Sequence, residues 1–91
     1  MKKRYIYPAR FIEEDNGAIT VYFPDLEGCQ TYCDTIEGAA LMAQKALKAY
    51  IETLLELRRD IPQASNLENV SVDKGHVMLV IAEVKAAKKS A

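Results

Sequence analysis

Residues 22–39 constrain this chain more than any others. They read Tyr22-Phe23-Pro24-Asp25-Leu26-Glu27-Gly28-Cys29-Gln30-Thr31-Tyr32-Cys33-Asp34-Thr35-Ile36-Glu37-Gly38-Ala39. A strand enters at Tyr22 and Phe23. Proline sets a fixed φ and glycine accepts φ > 0, so Pro24 and Gly28 shape a tight turn. Cys29 to Cys33 leaves room for one short strand. Asp34 and Thr35 then open a helix. Asp34 with Glu37 three residues on fits a capping box, and Thr35 is the competing N-cap. Strand, turn, strand and capped helix in close succession point to an α+β domain.

The flanking sequence extends this plan. Arg4 to Ile12 is rich in Tyr, Ile and Phe and reads as the first strand. Pro8 lies inside it and cannot donate to a ladder, so it should face an unpaired edge or a bulge. Glu14-Asp15-Asn16-Gly17 is a hairpin signal. In the second strand, Ala18 to Phe23, the apolar residues Ile19, Val21 and Phe23 alternate with Thr20 and Tyr22, the period of a half-buried strand. The helix carries Ile36, Ala39, Ala40, Ala43, Ala46, Leu47, Tyr50, Ile51, Leu54 and Leu57 at helical intervals. Arg58 and Arg59 suit its C-terminal dipole, and Pro62 stops it. Such a helix is roughly 35 Å long. Its first half is mostly alanine, which permits close approach to a sheet. Gly38 weakens it, by about 1 kcal/mol relative to alanine. Leu41, Met42 and Leu55 lie partly off the stripe. They either wrap the edge of the core or form an oligomer interface.

Ile61 to Asn69 reads as a loop, with a brief extension at Val70-Ser71-Val72 before a turn at Asp73-Lys74-Gly75. Val77 to Val84 is the last strand, and its apolar run suits burial on both faces. The order is β-β-β-α-β: one long helix on a small mixed sheet, a partial ribonuclease-H-like plan. If the last strand returns parallel to the first, the crossover should be right-handed.

A chain of 91 residues has room for a single core, expected over residues 1–84, followed by a flexible basic tail at 85–91. The longest apolar run, Val77 to Ala82, is far short of the roughly 20 residues of a membrane span. Met1-Lys2-Lys3-Arg4 begins like a signal peptide, but Pro8, Arg10 and Glu13 interrupt the residues after it, so a cytoplasmic protein without membrane contact is expected. Cys29 and Cys33 are about 13 Å apart in an extended strand, whereas a disulfide needs Cα atoms within about 7 Å, so both should be reduced thiols. Too few soft ligands exist for zinc.

Charge is segregated along the chain. From Phe11 to Glu37 there is no lysine or arginine, and seven acids give −7; all 12 basic residues and the other six acids lie outside, giving +6 and a net −1. The near-neutral total argues against a dedicated nucleic-acid-binding domain. The acidic stretch either solvates turns and caps or forms a surface that attracts a basic partner. No catalytic set accompanies it. A ribonuclease-H-type centre needs carboxylates converging on Mg²⁺ from separate elements. The first strand has no acid at its centre, the helix offers Glu52 and Glu56 late in its length, and the last strand only Glu83. Neither cysteine has a histidine near it in sequence. The reading is therefore no enzyme, no metal and no cofactor.

The strings Ile19-Thr20-Val21-Tyr22-Phe23-Pro24-Asp25-Leu26-Glu27-Gly28-Cys29 and Asp34-Thr35-Ile36-Glu37-Gly38-Ala39 resemble the signature of HicB-type antitoxins, the partners of HicA messenger-RNA interferases. Tyr7-Pro8-Ala9-Arg10-Phe11 and Ile61-Pro62 also resemble that family, so the similarity covers residues 5–84. It implies a partial ribonuclease-H-like fold without catalysis. It also implies a protein that binds a small basic HicA-like toxin and neutralises it by masking its RNA-binding or active site. Glu27 stands where proline is common in the family, and Gly38 where a second acid is common. Many members add a C-terminal operator-binding segment. Here only residues 85–91 come after the last strand, so no DNA-binding domain and no direct nucleic-acid contact by this chain alone are expected. Tyr22, Phe23, Pro24, Asp25, Leu26, Glu27 and Asp34 are the expected toxin contacts, and Asp25→Lys with Glu27→Lys should weaken binding while leaving the fold intact. Leu41, Met42 and Leu55 are the expected contacts of a homodimer or homotetramer. The alternative is a non-catalytic oligomeric scaffold or regulator of the same fold without a toxin.

Overall fold

The computed structural model describes residues 2–66 and 75–85. Strand β1 spans Lys2–Glu13, β2 Ile19–Tyr22, β3 Gln30–Cys33, helix α1 Ile36–Glu56 and β4 His76–Lys85. The sheet order is β3-β2-β1-β4, and all three ladders are antiparallel. The expected element order holds. The expected mixed sheet does not, because β4 runs antiparallel to β1, from Phe11↔His76 to Lys2↔Lys85. The connection explains the direction. Helix α1 starts at the β1–β2 hairpin end of the sheet and runs the length of the sheet away from it. Residues 57–75 then separate α1 from β4. At up to about 3.3 Å per residue that connection can reach back along the whole sheet, so β4 starts again at the hairpin end. The expected extension at residues 70–72 and the tail at 86–91 lie outside the described residues; Lys85 itself is the last residue of β4.

Helix α1 covers one face of the sheet. Tyr7, Ala9 and Phe11 from β1, Val21 from β2 and Val80, Ala82 and Val84 from β4 meet Ala39, Ala43, Leu47 and Ile51 of α1 in one buried cluster. The alanines let the helix backbone lie close to the strands. Ile36, Ala40 and Leu57, expected on the buried stripe, are exposed at its margins. Leu55 is half-buried and packs on the core, whereas Leu41 and Met42 are exposed. Strand β4 also departs from its expected double burial. Val80, Ala82 and Val84 are buried, while Leu79 and Ile81 stand exposed on the other face.

Pro8 pairs with Leu79, and the β1–β2 ladder begins only at Arg10. Pro8 therefore sits where β1 has a ladder neighbour on one side only, as a residue without an N–H requires.

The helix ends are resolved by particular side chains. Thr35 is the N-cap, and its Oγ1 accepts the Gly38 N–H at 3.0 Å. Gly38 does not merely weaken the helix: a Cβ there would lie 2.5 Å from Cys33 Sγ and 2.9 Å from Thr35 Oγ1. At the other end Leu57 is the C-cap. Arg58 N–H donates to the Leu55 carbonyl at 3.1 Å and Arg59 N–H to the Leu54 carbonyl at 2.9 Å. This is a Schellman motif whose left-handed position holds Arg58, at φ 57°, instead of glycine. Arg58→Gly should therefore raise the unfolding free energy by about 1 kcal/mol, because the left-handed penalty for a side chain exceeds the entropy glycine adds to the unfolded chain. Urea denaturation midpoints check it.

Candidate functional site

The segment that carries the sequence signature closes on itself. Phe23 N–H donates to the Cys29 carbonyl (3.2 Å), Leu26 N–H to the Phe23 carbonyl (3.1 Å) and Cys29 N–H to the Leu26 carbonyl (3.0 Å). Gly28 occupies φ 79° with nothing within 4 Å of a notional Cβ, so its requirement is conformational. Phe23 and Leu26 are fully buried. What they contribute to any contact is the shape of the turn. Pro24 and Glu27 are exposed, and Tyr22 is exposed on the sheet face away from α1.

Asp25 has an internal role that its position in sequence does not reveal. Its Oδ2 accepts the Ser65 N–H at 2.9 Å and its Oδ1 accepts the Ser65 hydroxyl at 2.6 Å. Tyr50 donates its hydroxyl to the Glu27 carbonyl at 2.8 Å, and the Tyr7 hydroxyl donates to the Pro62 carbonyl. The turn is thus tied to α1 through Tyr50 and to the post-helical loop through Asp25. Asp25→Lys would release that loop, so the expectation that it leaves the fold untouched is revised. Burial pushes the Tyr7 hydroxyl above its usual range, with the Asp25 carboxylate and Tyr5 adding to the shift.

The expected contact residues do not form one patch. Asp25 and Glu27 lie beyond the Tyr22↔Gln30 end of the β2–β3 ladder, and Asp34 lies beyond its Ile19↔Cys33 end. Asp34 instead joins Glu13 on the rim of an open cleft of about 770 Å³ walled by Ile19 and Ile36, with His76 at its margin. Glu14, Asp15 and Glu37 are exposed nearby in sequence. Six of the seven acids between Phe11 and Glu37 are exposed; only Asp25 is half-buried. Among the described residues no group of histidine, cysteine and carboxylate side chains has the arrangement of a metal site, and no helix is long and apolar enough to cross a membrane.

Both cysteines are free thiols, Cys29 buried and Cys33 half-buried. Cys29 points at the Ala46 carbonyl, with Sγ 3.8 Å away, and burial lifts its pKa from 9.0 to about 11. An acid whose folded pKa is raised stabilises the fold below its unfolded pKa and loses that contribution as pH rises. Stability should therefore be flat with respect to Cys29 below pH 9 and fall between pH 9 and about 11. The slope of the urea midpoint against pH over this window should be shallower in Cys29→Ala than in the native chain.

The fold and the turn define a small α+β module built around a pinned Phe-Pro-Asp-Leu segment. Residues 7–90 match the family described as HicB-like antitoxin of bacterial toxin-antitoxin system, and the chain belongs to that family. Antitoxin HicB 2 of Photorhabdus laumondii is 36% identical over 88 residues, which cover 97% of this chain; the chain spans 58% of that relative's length. The N-terminal domain of the Burkholderia pseudomallei antitoxin HicB has a similar structure, with a TM-score of 0.74 and 25% identity over 84% of this chain and 95% of that one. A chain of the HicA3 and HicB3 toxin-antitoxin complex shares the fold at a TM-score of 0.65, with 23% identity over 89% of this chain and 99% of that one.

Proposed function

We propose that this chain is an antitoxin that binds a small basic HicA-like ribonuclease and neutralises it by covering its RNA-binding or active-site surface. The observation that carries the reading is that six of the seven acids between Phe11 and Glu37, a stretch of sequence without lysine or arginine, are exposed, in one group at the Glu27 turn and another around the Glu13–Asp34 cleft. A protein that cleaves RNA must present cations to phosphate, and an acidic surface competes for them. Membership of the HicB-like family and the fold shared with the HicB3 complex support the same reading. The chain's task on this reading is binding, with no reaction of its own.

The direct test is co-expression with the small basic reading frame beside its gene, then pull-down and an RNA-cleavage assay. A stable complex that silences cleavage is expected. If no basic partner binds, the scaffold reading of the same fold takes its place. Glu27→Lys with Asp34→Lys is the sharper probe. Both positions are exposed and neither side chain holds the turn. The pair should weaken toxin binding about tenfold at low salt, with a smaller effect at high salt. Equal affinity at low salt would show that the contact lies elsewhere.

A further inference from the structure

Helix α1 covers one face of the sheet, and among the described residues no helix covers the other. Opposed residues of an antiparallel pair share a face, so the strand registers show what the uncovered face carries. Arg10 stands opposite Tyr22 and Thr20 opposite Tyr32, which puts the two tyrosines diagonally on adjoining strands with a guanidinium beside the first. Tyr32 is 68% exposed and Tyr22 38%. Exposed Ile6, Leu79 and Ile81 continue the face across β1 and β4. We propose that this face binds a single-stranded nucleic acid, with bases stacked on Tyr22 and Tyr32 and the backbone held by the cations of β1 and β4.

Two observations select a nucleic acid as the occupant. The first is Arg10. Among the described residues it forms no ion pair, and its Nε is buried without a hydrogen-bond partner. A half-buried guanidinium without a counter-ion is costly, and phosphate oxygens match it in geometry and charge. The Tyr22 ring beside it is flat and open, and aromatic and guanidinium planes are the surfaces on which splayed bases stack. The second observation is charge. Lys2, Arg4, Arg10 and Lys85 lie on this face, and the strands set only Glu83 against them, 3.8 Å from Lys2 and 3.7 Å from Arg4. Glu14 reaches the face from the hairpin, where its carboxylate accepts the Thr20 hydroxyl at 2.8 Å. Four cations against two acids leave the face positive, although the chain as a whole carries −1. The near-neutral total, which argues against a nucleic-acid-binding domain, hides this separation. Six residues of strand lead from Arg4 to Arg10, roughly 20 Å, which is room for a few nucleotides.

The test needs no toxin, so it stands apart from the antitoxin reading. Fluorescence anisotropy of a labelled oligouridylate RNA of about twelve nucleotides, titrated with the full chain at low salt, should show binding that weakens as salt rises. The same RNA annealed to its complement should bind more weakly, because its bases are not free to stack. Tyr22→Ala with Tyr32→Ala should cost at least about tenfold, and Tyr22→Phe with Tyr32→Phe should bind like the native chain. Arg10→Gln should lower the slope of log affinity against log salt by about 0.7. Lys45→Ala with Lys48→Ala, in the cleft between α1 and β4, should leave binding nearly unchanged. The chain has no tryptophan, so quenching of its tyrosine fluorescence by the RNA reads stacking in the native protein even if the alanine variant misfolds. A native chain without measurable affinity at low salt would overturn the proposal. So would binding that the Lys45 and Lys48 substitutions abolish and the tyrosine substitutions leave intact. If the tyrosine-to-alanine variant binds RNA like the native chain but loses the toxin, the face belongs to a protein partner and the proposal falls.

Discussion

Gly75→Ala should cost at least about 3 kcal/mol, a large share of the roughly 5–14 kcal/mol expected for a domain of this length. Two independent penalties meet there. Gly75 holds φ 76°, a region that side chains rarely adopt. A Cβ would also run into the Phe11 carbonyl oxygen and lie 2.9 Å from the Phe11 carbonyl carbon and 3.0 Å from Ile12 Cα. These are backbone atoms of the central strand, so no rotamer change makes room. The clash sits next to the Phe11↔His76 pair that starts the β1–β4 ladder, and relieving it means lifting the start of β4 from the sheet. Asparagine separates the two penalties. It tolerates left-handed φ but keeps the Cβ, so Gly75→Asn should remain almost as damaging as Gly75→Ala. At Gly28, where nothing stands within 4 Å, Gly28→Asn should be nearly neutral. Urea denaturation of these variants and Gly28→Ala checks the pattern. Equal costs at both glycines would assign the whole effect to φ.

The contrast between Gly75 and Gly28 also marks what the sequence reveals. Gly28 is legible because its requirement is local: a turn between two strands needs a positive φ, and the flanking residues show the turn. Gly75 reads as a turn glycine too, but its true constraint is Phe11, 64 positions earlier. The same division runs through the fold. The alternation of Ile19, Val21 and Phe23, the helical spacing of Ala39, Ala43, Leu47 and Ile51, and the hairpin at Asn16-Gly17 are patterns within a few residues, and each element appears where they place it. The direction of β4 is not such a pattern. It depends on how far residues 57–75 carry the chain, and an apolar run looks the same in either direction. Strand β4 reads as buried on both faces because Leu79 and Ile81 are as apolar as Val80 and Ala82; only the structure shows that α1 covers one face. Arg58 carries no sign of its left-handed conformation, since glycine is what usually marks that position. In the candidate site the acidic window is plain from the order of residues. Its division between the Glu27 turn and the Asp34 cleft is not, and neither is the bond from Ser65 that occupies Asp25.

The second large effect lies at Phe23, and it couples the core to the turn. The Phe23 side chain is fully hidden from solvent, and its backbone both donates to Cys29 and accepts from Leu26. Phe23→Ala removes a ring from a closely packed interior and leaves a cavity that a sheet and a pinned turn cannot readily collapse. The expected cost is about 3–5 kcal/mol. The consequence should not be uniform. The hydrogen bonds of Asp25 to Ser65 and of Tyr50 to Glu27 hold the turn from outside, but Phe23 and Leu26 are what seat it on the sheet. Hydrogen exchange should therefore rise first at Leu26 and Cys29, whose amides close the turn, and later in the β1–β4 ladder. Phe23→Leu refills most of the volume and should recover more than half of the lost stability. On the antitoxin reading, Phe23→Ala weakens toxin binding without removing any surface group, because Pro24 and Glu27 lose their fixed presentation, and Phe23→Leu restores it. If Phe23→Ala binds toxin as tightly as the native chain while its turn amides exchange freely, the turn's geometry is not what the partner reads, and the Glu13–Asp34 cleft becomes the surface to map.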